Sequence, residues 1–174
     1  RSAAVQGGDD PMEDIGLAHP ARVEEGESAA TQHAISTLVR VSENSEGDGQ
    51  GGVQLELLNF LNASLLLRAE TLDSLVDNRA FIIALARMAA ADSRRSEGRS
   101  VRDDDEYARV PTAASLLLAH LLRRCSHDGT RQRSLSQHLH GTIHLSDLMV
   151  GVHSRCELRC AAALHLAAEM CDTG

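Results

Sequence analysis

Histidine and cysteine crowd the last third of the chain: Cys125, His127, His138, His140, His144, His153, Cys156, Cys160 and His165. Imidazole and thiolate are the usual ligands of zinc, and His153-x2-Cys156-x3-Cys160-x4-His165 supplies both types within one short stretch. A zinc ion needs four ligands converging on a tetrahedron, commonly as two tight pairs across a turn. Here Cys156, Cys160 and His165 share one predicted helix. Positions four apart lie on one helical face, and His165 points away from the Cys156–Cys160 face. The spacing therefore predicts ordinary core thiols and surface imidazoles, with no metal and no cofactor. Other catalytic patterns are missing too. Ser, His and Asp are abundant, but no serine sits in a G-x-S-x-G elbow. The glycines of GGDD and GDGQGG follow no strand pattern and precede no GK[ST], so they read as linker glycines. Glu24/Glu25 and Asp103–Asp105 lie in charged stretches where nothing would raise a carboxylate pKa. All 17 basic residues are Arg, which removes Schiff-base and phosphate-loop lysine chemistry. The chain reads as non-enzymatic.

The elements that would position any functional residue are helices. Of 174 residues, 43% are hydrophobic but only 2% aromatic, so the core must be Leu, Ala, Ile and Val. Leu and Ala favour helix, and strand formers are scarce. Residues 1–27 are Gly-rich and acidic without periodicity and read as a disordered arm or linker. Helices are predicted over 28–42, 53–68, 70–76, 79–91, 112–124, 131–140, 142–150 and 155–171. Ser28 and Asn78 read as N-caps and Pro111 as the opening of the fifth helix. Helices 53–68 and 112–124 are apolar nearly all round, which predicts burial between layers. The last helix is read with Cys160, Leu164, Ala167 and Cys171 as its buried stripe. Residues 92–110 carry a dense charge run and read as an inserted surface loop, with Ser93, Ser96 and Ser100 among arginines.

The net charge of −8 and the lack of a basic cluster argue against direct nucleic-acid binding. No apolar run approaches the ~20 residues needed to cross a membrane. Four cysteines in helical context read as reduced, buried thiols, hence an intracellular, cytoplasmic protein, with nuclear and cytoskeletal sites left open. The chain begins at Arg1 rather than Met and stops just after its last helix, so it reads as part of a longer chain or larger complex.

The order of helix types repeats. A long apolar helix, a short helix and an amphipathic helix recur as a unit, and AISTLVRV at 34–41 aligns with FIIALARM at 81–88. That register puts Ile35 on Ile82, Leu38 on Leu85 and Arg40 on Arg87. LLNFLNASLLLRAETLDSLVDNRAFIIALARMAA resembles an armadillo repeat, as does LLLAHLLRRCSHDGTRQRSLSQHLHGTIHLSDLMV, and ELRCAAALHLAAEM looks like the second helix of a further unit. The resemblance covers about 28–172 and implies an all-α, right-handed α-solenoid of armadillo/HEAT-like repeats, about three in number. Such repeats bury their faces only against stacked neighbours. It further implies a scaffold or adaptor holding an extended or helical protein segment, or a structural region of a cytoskeletal, ciliary or ribonucleoprotein assembly. The Trp and Asn ladders of nuclear-import members are absent, since the chain has no Trp. Arg40 and Arg87, in equivalent positions, would form an Arg pair on the concave face, suited to carboxylates. Asp147, on the corresponding helix of the next unit, is the third candidate partner-binding residue.

Overall fold

Leucine and alanine at helical spacing build helices along the whole described chain: α1 (Pro20–Glu43), α2 (Gln50–Leu67), α3 (Thr71–Val76), α4 (Arg79–Ala90), α5 (Val101–Cys125), α6 (Gly129–His140), α7 (Leu145–Val152) and α8 (Glu157–Asp172). The structure is a computed structural model. It describes residues 20–44, 50–90, 101–143, 145–154 and 156–172, excluding the side chains of 20–27, 50, 101–107, 145–147 and 150. The fold is all-α, with no strand among the described residues. None of these helices is long and apolar enough to cross a membrane.

Local chemistry explains three of the eight helix starts among the described residues. The Asn78 side-chain oxygen accepts from the Phe81 N–H at 3.0 Å, which caps α4 as expected. Asp128 caps α6 by accepting from the Thr130 and Arg131 N–H groups at 3.1 and 3.2 Å. Two prolines exchange the roles suggested by their surroundings. Pro20 opens α1 eight residues before Ser28; its fixed φ and missing N–H suit a first helical position. Pro111, by contrast, lies inside α5, which starts at Val101 and so takes in part of the expected surface loop. Arg, Glu and Ala in 101–110 favour helix, and one missing N–H is not enough to stop it. The Pro111 carbonyl still has a partner, accepting from the Ser115 hydroxyl at 2.8 Å. Residues 1–19, the 45–49 linker and 91–100, with Ser93, Ser96 and Ser100, lie outside the described residues.

Helices three apart in sequence are neighbours in space. α1 packs on α4 and α4 on α7; α2 packs on α5 and α5 on α8. Two rows result, α1–α4–α7 and α2–α5–α8, joined through α1–α2, α4–α5 and α7–α8. One continuous core of Leu, Ile and Ala runs between them, from Ile35 and Leu38 through Leu58, Phe81, Leu85, Leu117 and Leu121 to Leu166. α5 is the centre, with Ala114, Leu117, Leu118, Leu121 and Leu122 all buried against α2, α4, α6 and α8.

Three sequence expectations fail in this arrangement. α2 is not covered all round: Leu58, Leu61 and Leu65 face the core while Phe60, Leu66 and Leu67 are exposed, because among the described residues α2 has α5 on one side and no matching helix on the other. α8 buries Arg159, Ala162, Ala163 and Leu166, not the predicted stripe; Leu164 and Cys171 are exposed and Cys160 only half-buried. The cause is the fit of Ala163 and Arg159 against Gly151 of α7, which sets the rotation of α8. The thiols are unpaired, but only Cys125 is buried.

Candidate partner-binding surface

Arg40 and Arg87 both end exposed, in the last turns of α1 and α4. Their positions follow from the stripes behind them: Ile35 and Leu38 in α1, and Ile82 and Leu85 in α4, are fully buried and turn the arginines outward. Among the described residues neither guanidinium has an ion-pair partner. α1 and α4 are packed neighbours, so the two arginines stand on one row. Asp147 falls in α7 of that row, but its side chain lies outside the described residues.

The second row carries a polar strip that sequence spacing missed. The His120 Nδ1–H of α5 donates to Asn62 Oδ1 of α2 at 2.8 Å; the amide oxygen can only accept, which fixes the proton on Nδ1. On its other side the His120 ring meets His165 of α8 edge-on, with centroids 6.4 Å apart and planes at 72°. One turn further, an Arg124 N–H donates to the Leu66 carbonyl at 3.2 Å. Both α2–α5 bonds span 58 residues, so the two helices run parallel and in register. Burial, the neighbouring His165 and the charges of Arg123 and Arg124 push the His120 pKa below its ordinary 6.5; Glu169 opposes them. The strip therefore offers neutral imidazole and amide groups bordered by guanidinium, a surface for hydrogen bonding and carboxylate recognition. A His inside the apolar run LLLAHLL was the available signal, since a polar residue on that side of α5 needs a partner.

A buried arginine holds α8 in place. Arg159 is 5% exposed, donating to the Ala89 carbonyl at 2.6 Å and the Ser115 hydroxyl at 3.0 Å. Ala89 belongs to the last turn of α4, where carbonyls lack helical partners and the helix dipole favours a cation. Burial lowers the Arg159 pKa, with Cys156 acting in the opposite direction. This group ties α4, α5 and α8 together and is enclosed, so it positions the rows instead of facing a ligand.

Of the His/Cys region, His144 lies outside the described residues. Among the described residues no three His, Cys, Asp or Glu groups converge as a metal site would require. His153 turns Nδ1 back to the Met149 carbonyl at 2.7 Å. Burial pushes the Cys125 thiol up to about 11, which keeps it protonated and inert. An open surface depression of about 510 Å³ is lined by Gln32, Asp73, Ser74, Asp77, Asn78 and Arg79. Asp73 there is already paired with Arg131 at 2.6 Å. Comparisons with protein-family models, curated proteins and solved structures find no match.

Proposed function

We propose that the chain is a non-enzymatic scaffold or adaptor, an armadillo-like solenoid segment that holds a segment of a protein partner on the face of its helical rows. The observation that carries this reading is the spacing of contacts: α1, α2, α4 and α5 each pack on the helix three places on, in two rows sharing one core. That is how a three-helix unit stacks, and stacked units expose long surfaces instead of enclosed pockets. The in-register run of α2 beside α5 agrees with it. Arg40 and Arg87, exposed on neighbouring helices without ion-pair partners among the described residues, suit acidic groups of the partner. The test is retention of acidic peptides by the immobilised full chain and by its Arg40→Glu/Arg87→Glu variant. A loss of about tenfold or more is expected, and equal retention by a folded double variant refutes the role of this row.

A second reading, a structural or regulatory region packed permanently within a larger assembly, draws on α7 and α8. Met149, Leu158 and Leu164 are exposed there, and such apolar surface suits a lasting contact. Under this reading the double variant leaves assembly intact, while Leu158→Asp and Leu164→Asp disrupt it.

A further inference from the structure

We propose that the exposed side of α2, together with the last turn of α5, docks an amphipathic helix of a protein partner whose apolar stripe is flanked by carboxylates. The inference rests on the adaptor reading but assigns a surface separate from Arg40 and Arg87.

The apolar half of the site comes from α2. With Leu58, Leu61 and Leu65 turned to the core, Phe60, Ala63 and Leu67 line the opposite side at i, i+3 and i+7. Leu67 is 82% exposed, Leu66 53% and Phe60 43%. Apolar side chains this open, with no covering element among the described residues, are costly in water, and Phe60, Ala63 and Leu67 stand at the spacing by which one helix reads another. The charged half comes from α5. Arg124 is held beside the patch by its bond to the Leu66 carbonyl, and Arg123 is the next residue. Both are exposed, and neither has an ion-pair partner among the described residues. The contrast is Arg131, satisfied by Asp73 at 2.6 Å and Asp128 at 3.3 Å. In a chain of net charge −8, two adjacent exposed guanidiniums, one of them bonded to the leucine patch, give this corner a positive charge. Their charge selects an acidic partner, and Arg geometry favours carboxylate pairs. Glu56 of α2 and Glu70, just beyond its end, are exposed, so the partner's carboxylates belong on the α5 side.

The test uses the full chain and a fluorescein-labelled helical peptide with Leu at i, i+3 and i+7 and Glu along one flank. Its twin carries Lys in place of Glu. Fluorescence anisotropy is read at low and high salt. The expected result is saturable binding of the Glu peptide, weakened by salt, and none of the Lys peptide. Arg123→Glu and, separately, Leu67→Asp should each weaken binding about tenfold or more while far-UV circular dichroism stays unchanged. The Arg123 side chain makes no described hydrogen bond or ion pair, and the α2–α5 bond belongs to Arg124, so the variant leaves that contact intact. Binding that survives both substitutions, equal binding of the two peptides, or no saturable binding below about 1 mM overturns the proposal. So does a preference for phosphatidylserine vesicles over the peptide, which would make the patch a membrane contact. Loss of binding only in Arg40→Glu/Arg87→Glu also overturns it while leaving the adaptor reading standing.

Discussion

Replacing Leu166 by Ala removes three carbons from the middle of the α8 interface with α5 and α7. Leu166 is 0% exposed and belongs to the continuous core, so the truncation loses both its transfer free energy and the packing around the hole. Buried Leu→Ala changes of this kind cost about 2–5 kcal/mol. Leu164, two residues earlier, is 51% exposed. About half of the ~1.5–3 kcal/mol that full burial of a leucine is worth is therefore not gained there, and Leu164→Ala should cost about 1 kcal/mol or less. The two variants share chemistry, helix and helix propensity, so their difference isolates which side of α8 faces inward. Urea titration followed by far-UV circular dichroism reads it. With a slope of about 1–3 kcal/mol per molar urea, Leu166→Ala should lower the midpoint by roughly 1–2 M and Leu164→Ala by a few tenths. If Leu164→Ala costs as much as Leu166→Ala or more, the reasoning is refuted. α8 would then sit turned by about a third of a revolution, with Cys160, Leu164, Ala167 and Cys171 inward and Arg159 withdrawn from Ala89.

That one-third turn is what the sequence could not decide. α4 was legible because its apolar residues occupy one side, with Ile82, Leu85 and Met88 buried and Arg87 exposed. α8 reads ELRCAAALHLAAEMCD, with small apolar residues on every side, so composition carries no phase. Its rotation is fixed by long-range fits: Arg159 reaching α4 and α5, and Ala163 meeting Gly151. Nothing local to Arg159 says that the end of α4 and Ser115 will surround it. The same limit hid the polar strip. Asn62, His120 and His165 lie far apart along the chain and meet only when α2, α5 and α8 form a row. Arg40 and Arg87 were legible as polar breaks in apolar stripes, a local property that needs no knowledge of neighbours. The ends of helices fall between these cases. Asn78 announced its cap, whereas Pro111 was weighed as a start although the residues before it favour helix as well.

Two further outcomes follow from the packing of α8 and from His120. A Cβ on Gly151 would lie 2.9 Å from the Ala163 Cβ and 3.2 Å from the Arg159 side chain, so Gly151→Ala should cost about 1–3 kcal/mol in a thermal melt. Gly141→Ala, whose nearest contact is 3.6 Å, should be close to neutral, and equal melts for the two would show that α7 and α8 are not in close contact. His120 makes stability depend on pH with a definite sign. Its folded pKa lies below the ordinary 6.5, because burial, His165, Arg123 and Arg124 disfavour the cation more than Glu169 favours it. As pH falls through about 6.5 the unfolded chain takes up the proton first, so the stabilising contribution present above that pH is lost on the way down to the folded pKa. The urea midpoint of wild type should accordingly fall from neutral pH into that window more steeply than that of His120→Gln, which keeps a donor for Asn62 and cannot titrate. An imidazole NMR titration placing the His120 midpoint at or above 6.5 would refute the argument, since the unfolded chain would then no longer be the first to bind the proton.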